Sequence, residues 1–406
     1  MKKLEAMKRY RAVKDPRARL GQVMTPPPMA DALLRLLGSS GGNWLELGSG
    51  SGRLAEAVRN SAAPQSYVGV ELEPSMIELC PRHPGFEYLE HDVLSAASLG
   101  RSLEGRAFDH VVGNPPYGVH GLPPKAKDRL LQLCPDLETA LHWTPIDLYF
   151  VLESLSRLKS TGTGAFIVGA DIPCGTQSIP FRKMLIEQAS EIECYELPIK
   201  AFGHRVEVQS YMLIVRFGRT TAQQIVLGRL DDEFNVASLR RFGRDLAVQN
   251  MGLTHHEFRE MDEQLRRASQ GVTMKDLGVS IIRGSRSRSE FSQLGVAHFH
   301  TSDFRNSGME ISLDGKGSSD YQQATVGDIL LPRVGTRCLE HKAIVVSGEG
   351  PYSESVFRVR APAKHQDRVV RWITSDACTD WRKSAAQGAC AKHLTVTSLL
   401  GMPVPA

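Results

Sequence analysis

No run of apolar residues in this chain of 406 approaches the roughly 20 needed to cross a bilayer, and the opening MKKLEAMKRYRAVKDPRARL lacks the apolar stretch of a secretory signal. Both absences lead to the expectation of a globular, cytoplasmic protein. Cysteine is scarce and scattered: the seven residues, an odd number, form no Cys-x-x-Cys pair. A disulfide framework and a cysteine zinc site are thereby disfavoured, and no metal is expected. A strong excess of one charge is missing too, because the net charge of +4 by itself says nothing about nucleic acid. Neither an internal repeat nor a low-complexity segment is present.

What is present is ample core material, 41% apolar, enough for two domains. Positive charge is clustered. Residues 1–20 carry eight Lys/Arg against two acids, and Arg283 to Arg288 in IIRGSRSRS form a second basic knot. From Asn43 to about Phe217, short β-branched runs alternate with helical stretches, the pattern of an α/β domain with a largely parallel sheet. NWLEL, SYVGVEL, FEYLEHDV, DHVVG and GAFIVGA read as strands; IECYELP and VEVQSYMLIVRF read as an antiparallel pair closing the sheet at its edge. Residues 221–271 read as a polar connector with one helix near HEFREMDEQLRRA, and 272–406 as a second domain of short strands and turns. The first domain is then 1–220.

In ELGSGSGRLAEAV, Glu46 to Val58, a strand runs through a glycine-rich turn into a helix. Glycine lets backbone approach a ligand closely, and a helix start offers unpaired N–H groups and a positive dipole end. Taken alone, the turn holds a ligand such as a dinucleotide or is only a tight corner. The next strand, in VGVELEP, ends in Glu71, where an α/β ligand-binding sheet holds a carboxylate for the vicinal hydroxyls of a ribose. LEHDV sets Asp92 at the following strand end, suited to accept from an exocyclic amino group, while Glu73 and Glu90 read as exposed acids.

On these residues the chain resembles the class I S-adenosylmethionine-dependent methyltransferases, with Glu46-x-Gly48-x-Gly50-x-Gly52 as their first motif. The resemblance implies an α/β, Rossmann-like sheet with an antiparallel closing strand and S-adenosyl-L-methionine as cofactor. It implies cofactor contacts from Thr25, Glu46, Gly48, Gly50, Gly52, Glu71, Asp92, Val93 and Asn114. VVGNPPYGVH then supplies Asn114, Pro115, Pro116 and Tyr117, which in that family mark methylation of a planar exocyclic or amide nitrogen. The lone pair of an adenine N6 is delocalised into the ring, so acceptors aimed at both its hydrogens favour tetrahedral geometry and stabilise the charge that grows on attack. The Asn114 side-chain oxygen and the Pro115 carbonyl are those acceptors. The prolines fix the backbone, and Tyr117 gives a face for a base to stack on.

GQVMTPPPMADALLRLL, residues 21–37, resembles the motif that precedes the glycine loop in amino-methylating DNA enzymes of the gamma arrangement. Thr25 before Pro26 also reads as a helix cap followed by a first-turn proline. Phe202 resembles the family's later aromatic, which sandwiches the target base against the NPPY tyrosine. Residues 272–405, through LGVSIIRGSRSRS, FHTSDF, ATVGDILLPRVGTR, SESVFRVR and AKHLTVTSLLGMPVP, resemble the target recognition domain of type I restriction specificity subunits. That likeness implies an α+β DNA-binding domain with Arg283, Arg286, Arg288, Arg333 and Arg337 as groove and phosphate readers. Asp328 with Glu340, His341 and Lys342 mimics nuclease spacing, but this stretch falls within the recognition-domain resemblance and no nuclease activity is expected of it.

The resemblances together imply a site-specific adenine-N6 methyltransferase acting on double-stranded DNA within a restriction-modification system. Cleavage is expected from a separate restriction endonuclease, because only about 20 residues precede the cofactor region. The target adenine is expected to flip out between Tyr117 and Phe202. Residues 119–146, with Lys125, Lys127 and Arg129, are expected to fold over the DNA. RNA adenine and protein glutamine methylation remain as rivals; cytosine-N4 methylation is disfavoured by Asn rather than Ser at position 114. A DNA specificity module with an inactive first half is the rival outside catalysis.

Overall fold

The computed structural model describes residues 24–117, 122–140, 146–203, 208–221, 223–305, 308–315, 320–335, 338–386 and 393–406, with backbone alone at 138–140. The chain divides into two compact units, one ending at Leu253 and the other running from Thr254 to Ala406. No helix among the described residues is long and apolar enough to cross a membrane.

Nine strands of the first unit form one sheet: β1 (Asn43–Leu47), β2 (Ser66–Glu71), β3 (Phe86–Glu90), β4 (Phe108–Gly113), β5 (Leu158–Gly169), β6 (Glu191–Glu196), β7 (Ser210–Arg216), β8 (Gln224–Leu230) and β9 (Val236–Gly243). Their order is β3-β2-β1-β4-β5-β7-β6-β8-β9. Strands β1 to β5 are parallel, and β7 lies antiparallel between β5 and β6. This is the expected class I methyltransferase sheet. Successive side chains alternate between its faces. Trp44, Tyr67, Val112 and Ile167 pack under the helices Pro27–Leu37 and Arg53–Ser61, whereas Leu45, Val68, Val111 and Val168 pack toward Ile146–Leu155 and Ile179–Gln188. A sheet covered on both faces needs apolar residues at every position of its central strands, which explains runs such as SYMLIVR in β7.

The expected connector is corrected by the structure. Strands β8 and β9 continue the sheet, so the β6–β7 pair is not its edge. Beyond them, fully buried Arg182 donates to the carbonyls of Val248 (2.8 Å) and Gln249 (2.9 Å), and also to those of Ile172 and Gly175. Residues up to Leu253 therefore belong to the first unit. The helix Leu253–Ala268 instead lays Phe258, Met261 and Leu265 on the core of the second.

In the second unit, β10 (Ser280–Arg283), β11 (Glu310–Asp314), β12 (Gln323–Thr325), β13 (Ile329–Pro332), β14 (Ala343–Pro351) and β15 (Val356–Arg360) form a sheet in the order β10-β15-β13-β14-β11, with β12 on β14. The helices Gln366–Thr374 and Asp376–Ala385 bury Trp372, Ile373 and Trp381 in its core. This is the expected α+β class.

Candidate active site

The order of β3-β2-β1 on one side and β4-β5 on the other reverses the chain's direction of travel between β1 and β4, and ligands of open α/β sheets bind outside the strand ends at such a point. The loops leaving β1 to β4 meet there in one cleft. Thr25, Glu46, Gly48, Gly50, Glu71, Asp92, Val93, Asn114 and Pro116 line it, together with Ser49, Ser51, His91 and Phe150. Nine of the expected site residues are thus brought together.

The glycine loop is shaped by backbone. Gly48 and Ser49 donate to the Val70 carbonyl at 2.7 and 3.0 Å, tying the loop to the end of β2. Gly48 has φ +81°, and a Cβ there would stand 3.2 Å from the Phe150 ring, filling the hollow between loop and aromatic. Gly52 does a different job from the one expected. With φ +74° it starts the helix Arg53–Ser61, and a Cβ on it would meet Pro81 at 2.6 Å, so it is a close-packing glycine and not part of the cleft wall.

Three carboxylates face this loop region. Glu71, 6% exposed, accepts from the backbone N–H of Gly50 (2.7 Å), Leu72 (2.8 Å) and Glu73 (3.0 Å). Burial pushes its carboxyl up, against those three donors. Glu46 is buried beside it and accepts from the Tyr67 hydroxyl; burial, with the Glu71 charge adding, raises its carboxyl well above the ordinary range. Asp92 accepts from Leu94 N at 3.0 Å. The hydroxyls of Ser49 and Ser51 are buried in the loop without a partner among the described residues. Unpaired hydroxyls beside carboxylates and an apolar ring suit a ligand with a ribose and a planar base.

Asn114 follows β4 directly. Its Nδ2 donates to Thr25 Oγ1 at 2.9 Å, and its Oδ1 accepts from the Tyr117 hydroxyl at 2.7 Å. Thr25 is not the helix cap that its position before Pro26 suggested: the helix Pro27–Leu37 is capped at Pro26 with no side-chain bond, and the hydroxyl turns to Asn114 instead. Tyr117 and Phe202 are neighbours, edge to face, with centroids 5.9 Å apart at 67°. The sequence reading passed over Asp147. It is 2% exposed, accepts from Leu148 N (3.1 Å) and Gly169 N (3.0 Å), and Gly169 in turn lies against Tyr117. Burial above all pushes its carboxyl up to about 7. A buried Asp opening the apolar helix Ile146–Leu155 was the available signal.

Outside the cleft the expected residues separate. In the helix Pro124–Leu133, Ala126 and Leu130 are buried and Arg129 is held by Glu153 at 2.9 Å, so this part of the 119–146 segment is docked on the core. Arg283 and Arg333 both donate to the Glu354 carbonyl, at 3.1 and 2.9 Å, and Arg283 also pairs with the Glu354 carboxylate. They brace one turn of the second unit. Arg286 lies over the Tyr321 ring at 5.4 Å, and Arg288 is exposed at the start of the helix Arg288–Gln293. Arg337 and the basic cluster of residues 1–20 lie outside the described residues. The nuclease-like spacing assembles no site: Asp328 pairs with Arg360, Glu340 with Lys383, and Lys342 donates to the Thr374 carbonyl.

The sequence profile of the family described as N-6 DNA Methylase matches residues 7–278, well over half of the chain. A type II methyltransferase of Thermus thermophilus is 32% identical over 158 residues, 37% of this chain and 35% of that protein. A tRNA1(Val) (adenine(37)-N6)-methyltransferase of Glaesserella parasuis is 26% identical over 186 residues, 44% of this chain and 69% of that protein. The matched part thus spans about a third of the Thermus protein's length. Among solved structures, the type IIG restriction endonuclease BpuSI shares the fold with a TM-score of 0.50 at 13% identity, over 95% of this chain and 59% of that one.

Proposed function

Because the chain belongs to the N-6 DNA Methylase family, we propose that it is a site-specific DNA methyltransferase transferring a methyl group from S-adenosylmethionine to the N6 amino group of an adenine in double-stranded DNA. The observation that carries this reading is the Asn114 amide, bonded to Thr25 on one end and Tyr117 on the other, on the wall of the cleft that Glu71 and Asp92 also line.

The bound cofactor supplies a methyl group made electrophilic by its sulfonium. Beyond its three backbone bonds, two of them to Oε1, Glu71 keeps one lone-pair site, on Oε2, for a ribose hydroxyl. Asp92 accepts from the amino group of the cofactor's base, and Phe150 offers that base an apolar face. The Asn114 oxygen and the Pro115 carbonyl accept the two N6 hydrogens of the target and stabilise the charge developing on nitrogen, after which the surplus proton leaves to solvent. A base inside a duplex cannot reach this point without flipping out. Tyr117 and Phe202 must part to roughly 7 Å to admit it, twice the contact distance of about 3.5 Å. The second unit reads the surrounding sequence, with the exposed Arg288 and its neighbour Arg286, which lies over Tyr321 and pairs with Glu290, as candidate contacts, and a separate restriction endonuclease is the expected functional partner.

Sequencing of modified adenine in genomic DNA tests this reading. Cells making the wild-type protein should carry N6-methyladenine at one short motif, and cells making Asn114→Ala should not. The likeness to the Glaesserella tRNA enzyme favours RNA as a second substrate class. Methyl transfer in vitro to tRNA and not to duplex DNA would move the assignment there.

A further inference from the structure

We infer that Thr25 is a positioning residue for the transfer step, acting through the amide of Asn114; the inference rests on the methyltransferase reading above. A side-chain amide has two ends of nearly equal size and opposite hydrogen-bonding character, so only its partners decide which end faces a substrate. The target nitrogen presents two donor hydrogens and needs the oxygen end. The opposite orientation would set Nδ2 hydrogens against N6 hydrogens, a repulsive contact that leaves the reaction with one of its two acceptors, the Pro115 carbonyl.

The structure places the two ends on different partners. Tyr117 holds the oxygen end through its hydroxyl at 2.7 Å, and that bond must yield when the target arrives, because it occupies the acceptor the target requires. Thr25 holds the nitrogen end at 2.9 Å and need not yield. Thr25 is 7% exposed, and its hydroxyl is released from any capping duty because the helix beginning at Pro27 makes no side-chain cap. A hydroxyl can donate as well as accept, so Thr25 does not by itself select the end; it keeps the amide tethered at Nδ2, the orientation seen here, while Tyr117 gives way to the adenine. Losing one oriented hydrogen bond of this kind is worth roughly tenfold in rate.

Single-turnover methyl transfer, measured alongside calorimetric binding of S-adenosylhomocysteine, separates this role from a cofactor contact. Thr25→Val keeps the shape and removes the hydroxyl; it should slow transfer about tenfold or more at saturating cofactor and DNA, whatever happens to the dissociation constant. Thr25→Ser, which keeps the hydroxyl, should stay within about threefold of wild type. Thr25→Ala carries the same expectation as Thr25→Val if the valine variant folds poorly. A Thr25→Val protein that recovers the wild-type rate once cofactor is saturating would reduce Thr25 to a cofactor contact. A Thr25→Ser protein as slow as Thr25→Val would reduce it to packing. Either result overturns the inference while wild-type activity stands; a wild type that methylates no adenine overturns the functional reading and this inference with it.

Discussion

The Tyr117 hydroxyl donates to Asn114 Oδ1 at 2.7 Å, so the acceptor proposed for the target's amino group is already occupied by a residue of the same motif. Entry of an adenine exchanges one hydrogen bond for another, and such exchanges are nearly neutral in free energy. The bond satisfies a half-buried amide without blocking the site. Tyr117→Phe should therefore leave single-turnover methylation within about threefold of wild type, because the ring is kept. Tyr117→Ala should weaken capture of the flipped base by about 1–3 kcal/mol, the usual worth of a stacked aromatic. Fluorescence of 2-aminopurine at the target position reads the second effect; equal losses in the two variants would mean that the hydroxyl takes part in the chemistry.

Asn114 itself should act on the transition state. Asn114→Ala is expected to lower the transfer rate about 10²-fold or more with S-adenosylhomocysteine affinity nearly unchanged. Turnover near the wild-type level would remove Asn114 from the mechanism.

Glu71 should govern cofactor affinity. Removing a charge-assisted hydrogen bond costs about 1.5–3 kcal/mol, so Glu71→Ala should weaken S-adenosylhomocysteine binding roughly tenfold or more. Burial raises the Glu71 carboxyl, so it takes up a proton at a higher pH than an exposed glutamate. Affinity should fall as the solution is acidified, and Glu71→Gln should flatten that dependence. Identical pH profiles for the two proteins would place the titrating group elsewhere.

Much of this site was legible because its chemistry sits in backbone-defined motifs. The glycine turn, the acid ending β2 and the NPPY corner each announce a local geometry in a few consecutive residues. What was not legible depended on contacts distant in sequence. Strand β9 exposes most of its residues and buries Phe242, so VASLRRFG carries no apolar alternation to mark it as part of a sheet. Thr25 looked like a cap because Thr-Pro often is one, and its true partner lies 89 positions away. That Arg283 and Arg333 both donate to the Glu354 carbonyl was not legible either, because charge says nothing about a carbonyl that folding brings near. Asp147 was hidden at the start of a helix whose next five residues are all apolar or aromatic.

Asp147 gives a stability test with a definite sign. Its folded-state pKa of about 7 lies above the unfolded value of about 3.9, so the native state holds the proton more tightly. The associated stability is present in full below the unfolded value and is lost as pH rises toward 7. At 1.36 kcal/mol per unit, the ceiling is ~4 kcal/mol. Asp147→Asn does not titrate, so its stability relative to wild type should improve from pH 4 to pH 8 in denaturant unfolding of the full chain. Parallel pH curves would show that Asp147 is not the titrating group.

The arginines of the second unit should divide into two kinds. Arg333 donates to the Glu354 carbonyl, to which Arg283 also donates, so Arg333→Ala loses one bond without orphaning the acceptor and should lower stability by about 0.5–1.5 kcal/mol. Its effect on DNA binding should vanish once the folded fraction is counted. Arg288 is exposed beside Arg286, which lies over Tyr321. Arg288→Ala should leave the melting temperature unchanged and weaken duplex binding. If Arg288 meets a phosphate, the slope of log K against log salt should shrink by about 1, equally for cognate and random DNA; if it meets a base edge, the loss of about 1–3 kcal/mol should fall on the cognate sequence alone. Binding isotherms at several salt concentrations, on both DNAs, tell these contacts apart. An Arg288→Ala protein that binds both duplexes as wild type does would remove this face of the second unit from the DNA interface.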